Sequence, residues 1–118
     1  MTIGTFAAAA LLAVGPPPLL ILSQPHGRAG AEVHVIGLNC GRPEHGDELL
    51  WRDEYQYAND KAHRPADPPF RRVRVTRISR TRVEAIFTVL RSDHPGRGIF
   101  TLFCAGKRNA SNVFTVIR

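Results

Sequence analysis

The sequence predicts an all-β domain, a two-sheet sandwich of about seven short strands, and three observations point there. Apolar and polar residues alternate with period two across 83–89 and 98–104, the spacing of half-buried strands rather than of a helix. Nine prolines and ten glycines in 118 residues divide the chain into short elements. The only two cysteines, Cys40 and Cys104, each close a predicted strand, and Trp51 lies between them. A chain this long holds one hydrophobic core. The expected organisation is a leader over 1–18 and a single domain over 19–118.

The leader has no charged residue before Leu22, and residues 6–14 form a nine-residue apolar run. That length suits the hydrophobic region of a secretory signal better than a membrane span of roughly 20 residues. Two features depart from a standard signal. No Lys or Arg precedes the run, and Gly15-Pro16-Pro17-Pro18 stands where a small-x-small cleavage site is expected. Three successive prolines also break any helix running on toward Leu22. A signal-peptide-like segment is the reading; a membrane anchor and a disordered tail are its alternatives.

The first strand is expected at 19–23, a short apolar run, and the turn residues of 24–30 follow it. Residues 31–40 read as a second strand in which Val33 and Val35 share one parity while Ile36, Leu38 and Cys40 share the other. A β-bulge at Gly37 is expected to reconcile the two phases. Over 48–57, a strand places Leu49, Trp51, Tyr55 and Tyr57 on one face, interrupted by Asp53. A helix is the rival, because Trp51, Tyr55, Ala58 and Ala62 also form a helical stripe behind a possible Asp47 cap. Aromatic content favours the strand, with 58–69 as a loop.

From Phe70 onward a hairpin is expected. Val73 and Val75 lie on its inner side, 78–82 form its turn, and Arg72, Arg74, Arg80 and Arg82 face solvent. Residues 92–98 form the next turn. In a closing hairpin Phe100, Leu102, Cys104, Phe114 and Val116 point inward around a loop at 105–112, which leaves Ile99 and Phe103 on the outer face.

Charge is unevenly spread. The chain carries 16 basic and 10 acidic groups, a net of +6. Residues 1–70 hold 5 basic and 8 acidic groups, and residues 71–118 hold 11 and 2. A basic half can attract polyanions or serve only as a solvated surface. Nucleic acid is not the expected partner, since neither exposed aromatics nor a groove-entering helix accompanies the arginines. Catalytic motifs are missing: there is no nucleophile elbow and no phosphate loop, and Ser92, Asp93 and His94 are contiguous and cannot face one another as a triad. The five histidines lack paired metal-ligand spacing. His45, Asp47, Glu48, Asp53 and Glu54 form an acidic cluster without the alternating ligands of a calcium loop. No metal, cofactor or enzymatic activity is therefore expected.

The two cysteines are placed to pair, with two buried thiols as the alternative. Cys…Trp…Cys among short strands is the pattern of an immunoglobulin-like sandwich. The residues Ser23-Gln24-Pro25, Gly27, Gly30, Val33-His34-Val35, Gly37 and Cys40 carry a closer resemblance. It continues through Ile86-Phe87-Thr88-Val89, Pro95-Gly96, Gly98-Ile99-Phe100-Thr101-Leu102, Cys104 and Phe114-Thr115-Val116. Together these resemble the secreted immunoglobulin-like domains of GC-rich bacteria. The resemblance covers about half the chain and implies the fold, export and a Cys40–Cys104 disulfide, but no shared activity. Residues 41–70 are longer and more charged than that pattern, and Phe100 stands where it usually has Tyr.

The expected function is that of a non-catalytic, secreted or cell-surface binding or adhesion module. Its partner would be a protein or an anionic cell-envelope polymer, met through Arg72, Arg74, Arg80 and Arg82. Contact with a membrane is expected only through an uncleaved leader. The alternative is a small-ligand carrier, resembling the secreted apoproteins that shield enediyne chromophores, with a cleft at Trp51, Tyr55 and Tyr57.

Overall fold

A computed structural model describes residues 16–41, 46–53, 71–104 and 108–118, with only the backbone at Arg108. These form nine strands: β1 (Leu19–Leu22), β2 (His26–Gly27), β3 (Glu32–Leu38), β4 (Glu48–Asp53), β5 (Arg71–Val73), β6 (Thr76–Arg77), β7 (Val83–Thr88), β8 (Gly96–Cys104) and β9 (Arg108–Val116). No helix long and apolar enough to cross a membrane occurs among the described residues. Most of the leader, 1–15, lies outside them.

The strands form a β-sandwich. One sheet has the order β1-β3-β7-β6 and the other β2-β9-β8-β4-β5. Every neighbouring pair is antiparallel except β2 and β9, where His26 and Gly27 run parallel to Thr115 and Val116. Two of the chain's changes of sheet run from one edge strand to another. Ser23 still bonds to His34 in the first sheet (N to O, 2.9 Å), whereas the Pro25 carbonyl accepts Thr115 N (3.0 Å) in the second. The second change falls at Arg74–Val75, between β5 and β6. Pro25 has no N–H to donate, which suits the point where an edge segment leaves one ladder for another.

Period-two patterning fills the space between the sheets. Val33, Val35, Ala85 and Phe87 face Leu49, Trp51, Phe100, Leu102 and Phe114, all at most 8 % exposed. Trp51 is the centrepiece, its ring centroid 4.7 Å from Phe100, 5.1 Å from Phe87 across the sandwich, and 6.0 Å from Phe114. Phe87 meets Phe100 edge-on at 4.8 Å, a geometry that aligns ring edge with ring face. Gly98 makes room for the indole. A Cβ there would collide with Cη2 of Trp51 and stand 2.5 Å from its Cζ2.

Cys40 and Cys104 form a disulfide. Closing a loop of 64 residues stabilises a folded chain by about 4 kcal/mol in the chain-entropy account. The phase change expected at Gly37 does not occur within β3, which keeps one phase to its end with Ile36 and Leu38 outward; the shift falls just beyond it. Glu32 to Gly37 pair without interruption with Thr88 to Val83, so there is no bulge at Gly37. Gly37 instead points inward, where any Cβ would overlap Leu102 Cδ2 and stand 2.7 Å from Val83 Cγ2. The shift comes from Asn39, whose φ of 61° is left-handed, a conformation Asn tolerates better than most residues. The turned chain drops Cys40 into the core at 2 % exposure and hands its N–H to Thr81 O at 2.9 Å.

Other boundaries differ from the sequence expectation. The segment expected as a simple turn at 24–30 contains β2. The closing loop expected at 105–112 is already strand from Arg108, and β8 begins at Gly96 rather than Gly98. Small and polar residues over 109–112 mimic a loop, but Asn109 to Asn112 pair with Phe103 to Phe100 in sequence along the ladder. The strand reading of 48–57 holds for 48–53, with Leu49, Trp51 and Asp53 all buried on one face. Its remainder, with Tyr55 and Tyr57, and the loop expected at 58–69 lie outside the described residues.

Candidate binding surfaces

The four arginines expected to form one cationic face are divided between the two sheets, although Arg74 and Arg82 line one groove. Because the chain crosses between sheets at Arg74–Val75, the expected hairpin is split. Its first limb, β5, pairs with β4, and only β6 pairs with β7. Arg72 therefore belongs to the five-stranded sheet, where it bridges Glu48 at 2.9 Å with its side chain 81 % exposed. Arg82 belongs to the other sheet and is paired with Glu84 at 2.7 Å. Arg74 lies at the crossover and Arg80 in the β6–β7 turn; both are exposed and have no carboxylate partner among the described residues.

Two arginines that alternation does not single out are the most deeply engaged. Arg77 donates to both Asp47 carboxylate oxygens (Nε 3.1 Å, Nη2 2.8 Å) and to the carbonyls of Gly41 (2.6 Å) and Arg80 (2.7 Å). It thereby pins the approach to β4 against the β6–β7 turn. Arg71 lies over the Phe87 ring, 4.4 Å from the centroid, and forms a two-pronged pair with Asp93 (3.1 and 3.2 Å). It also donates to Thr88 O at 3.1 Å, which ties β5 of one sheet to the end of β7 in the other. Their signal in the sequence is slight: each is an arginine within a run of arginines, and the partner carboxylates lie 30 and 22 residues away.

Trp51 does not border an open cleft. At 1 % exposure it is enclosed by Phe87, Phe100 and Phe114. Of the acidic cluster, Asp47 pairs with Arg77 and Glu48 with Arg72, Asp53 is buried, and His45 and Glu54 lie outside the described residues. No group of three potential metal ligands occurs among the described residues. Asp93, a member of the contiguous Ser-Asp-His run, accepts Leu90 N at 2.7 Å besides pairing with Arg71, so its carboxylate organises a turn.

A surface concavity lies on the outer face of the four-stranded sheet. Strand register sets Ile21 beside Ile36, and His34 beside Ile86. Leu19, Ile21, Ile78 and Ile86 are 44 to 54 % exposed, so this face carries more apolar surface than a solvated sheet needs, interspersed with His34, Glu84 and Arg82. A groove of about 800 Å³ crosses it, lined by Ile36, Ile78 and Ile86 together with His34, Arg74 and Arg82. On the other sheet, Ile99 and Val113 are neighbours across β8 and β9 at 41 and 47 % exposure, while Phe103 is half-buried. That patch is smaller and is interleaved with Arg52, Thr101 and Ser111.

No protein-family model and no curated protein matches this sequence.

Proposed function

We propose that this chain is a non-catalytic, extracytoplasmic interaction module built on an immunoglobulin-like domain. The strand orders β1-β3-β7-β6 and β2-β9-β8-β4-β5 support the fold assignment. So does a disulfide running from the end of β3 to β8, with Trp51 of β4 in the same core. That combination of sheet membership, inter-sheet disulfide and buried strand-four tryptophan characterises the immunoglobulin sandwich. A disulfide in a small domain favours an oxidising compartment, in keeping with the apolar run at 6–14 and the resemblance of the two end blocks to secreted domains.

The observation that carries the binding role is the apolar outer face of the four-stranded sheet. Burying Ile36, Ile78 and Ile86 is not needed to complete the core, yet they line one groove with Arg74, a cation without a carboxylate partner among the described residues, while the groove's own carboxylate, Glu84, is paired with Arg82. The chemistry fits a protein partner that offers an apolar strip next to a carboxylate. Apolar contact would supply the area and the guanidinium the orientation.

A photoactivatable cross-linker placed at residue 86 in the full chain on producing cells tests this, with the same group at residue 101 of the opposite sheet as control. The expected result is one defined adduct from position 86 that is lost in Arg74→Glu. Equal labelling from both sheets, or an adduct indifferent to Arg74→Glu, would refute the assignment.

A further inference from the structure

A second, separate cluster of cations lies at the end of the sandwich opposite the disulfide. Three segments converge there: Arg28 in the β2–β3 turn, Leu90 and Arg91 after β7, and Ile117 and Arg118 after β9. Backbone hydrogen bonds hold them together, from Gly30 N to Val89 O (2.8 Å), from Val89 N to Ala31 O (2.9 Å) and from Ile117 N to Gly27 O (2.9 Å). Arg28 Nη1 also donates to the Arg118 carbonyl at 2.6 Å, which fixes one guanidinium at the junction and leaves its other donors available. The segments line a groove of about 490 Å³.

The charge balance of this groove is one-sided. Its single lining side-chain carboxylate is Asp93, whose side chain is 9 % exposed. Both of its oxygens are occupied: Arg71 holds the pair at 3.2 and 3.1 Å, and Leu90 N adds a bond of 2.7 Å. Asp93 thus neutralises Arg71, the Arg118 main-chain oxygen engages one donor of Arg28, and the side chains of Arg91 and Arg118 have no carboxylate partner among the described residues. Glu32 is the next acid along the chain, but it stands at the register of Thr88 and does not line the groove. Leu90, 43 % exposed, and Ile117 supply an apolar wall. Beside such a wall guanidinium groups are less well hydrated than in open water, and their attraction for an anion is stronger.

We infer that this groove binds a polysaccharide bearing sulfate or phosphate esters. A guanidinium fork matches two oxygens of a tetrahedral oxyanion. Three forks on three separate segments suit successive esters along a chain better than one small ion. The apolar wall can cover the C–H face of a sugar ring between esters. The site differs in place and composition from the isoleucine-lined sheet face, and either can fail without the other.

Retention of the full chain on immobilised heparin tests the inference. The comparison sets Arg28→Gln/Arg91→Gln/Arg118→Gln against Arg72→Gln/Arg74→Gln/Arg80→Gln, which removes the same charge elsewhere. The pole variant is expected to bind heparin about thirtyfold more weakly at fixed salt, while the control loses far less. Equal losses in the two variants would reduce the effect to net charge and overturn the site; unchanged binding of the pole variant would overturn it outright. Arg91→Gln alone, at an exposed residue with no partner among those described, is expected to show a partial loss and guards against misfolding of the triple variant. Dextran sulfate and polyphosphate as competitors separate the sulfated from the phosphorylated source.

Discussion

The fit of Trp51 against Gly98 allows a quantitative test of how the core is built. Gly98 lies in β8 opposite Asp53 and Phe114, and the indole occupies the space where its side chain would project. In Gly98→Ala the new methyl has two ways out, and both are blocked. The backbone carbonyl of Arg52 is 2.9 Å from the same Cβ position, and the indole is hemmed in by Phe87, Phe100 and Phe114 at centroid distances of 4.7 to 6.0 Å. Overpacking into an interior of native density costs about 1–3 kcal/mol, and the lack of relief here puts the expected value near the upper end. Replacing Gly by Ala in a strand would otherwise be neutral to slightly favourable, so any large loss reports the clash.

A double-mutant cycle isolates that clash. Trp51→Phe alone removes part of a buried indole and should cost roughly 2 kcal/mol through lost contacts and a cavity. Combined with Gly98→Ala, the smaller ring vacates the space that the methyl needs, so the double variant should be more stable than the sum of the single losses by roughly 1–2 kcal/mol. Urea unfolding followed by far-UV circular dichroism gives the free energies, and an unchanged urea dependence across the set confirms that stability alone has moved. A Gly98→Ala value within about 0.5 kcal/mol of the parent, or an additive cycle, would rule out the clash.

Three further outcomes are expected. Cys40→Ala/Cys104→Ala should lower unfolding free energy by about 4 kcal/mol, set by the 64-residue loop; a loss under about 1 kcal/mol in urea titration would show that unfolded-state entropy is not the main contribution. Arg77→Ala should cost about 3–5 kcal/mol because it removes the buried cation paired with Asp47, whose side chain is 7 % exposed, together with its bonds to two carbonyls, whereas Arg72→Ala, at an 81 % exposed pair, should cost under about 1 kcal/mol; similar melting temperatures for the two variants would contradict the burial argument. Asn39→Gly should be neutral or slightly stabilising and Asn39→Val clearly destabilising, since φ is 61° there; thermal melts in which the two variants match would mean that the left-handed turn does not hold Cys40 in the core.

The inward sets were legible in the sequence because they depend only on parity: Val83, Ala85, Phe87 and Val89, then Phe100, Leu102 and Cys104, all prove buried. The disulfide was legible because two cysteines closed two such sets. The phase change just beyond β3 was legible as well, but its site was not. Glycine at 37 signals both a bulge and a close approach of side chains, and only the positions of Leu102 and Val83 distinguish them. Likewise, the short parallel pairing of β2 with β9 involves two residues, too few for any period to register.

The arginine face was misjudged for a deeper reason. Alternation states which side of a strand a residue occupies; it does not state which sheet the strand joins. Val73 and Val75 keep the same parity straight through the crossover, so the pattern of a single hairpin persists while the backbone moves from β4 to β7. Arginine is also the residue best suited to bridge such a junction. Its long stem can pack on Phe87 while its head reaches Asp93, and a second arginine can reach two carbonyls and a carboxylate at once. Four of the arginines in 71–82 are accordingly held by carboxylates, two of them deeply, and what remains for an outside partner is what folding did not use. Within that segment this is Arg74 and Arg80; at the opposite end from the disulfide it is Arg91, Arg118 and the remaining donors of Arg28. Binding capacity in this domain is therefore set less by how many cations a strand presents than by where the carboxylates are already engaged.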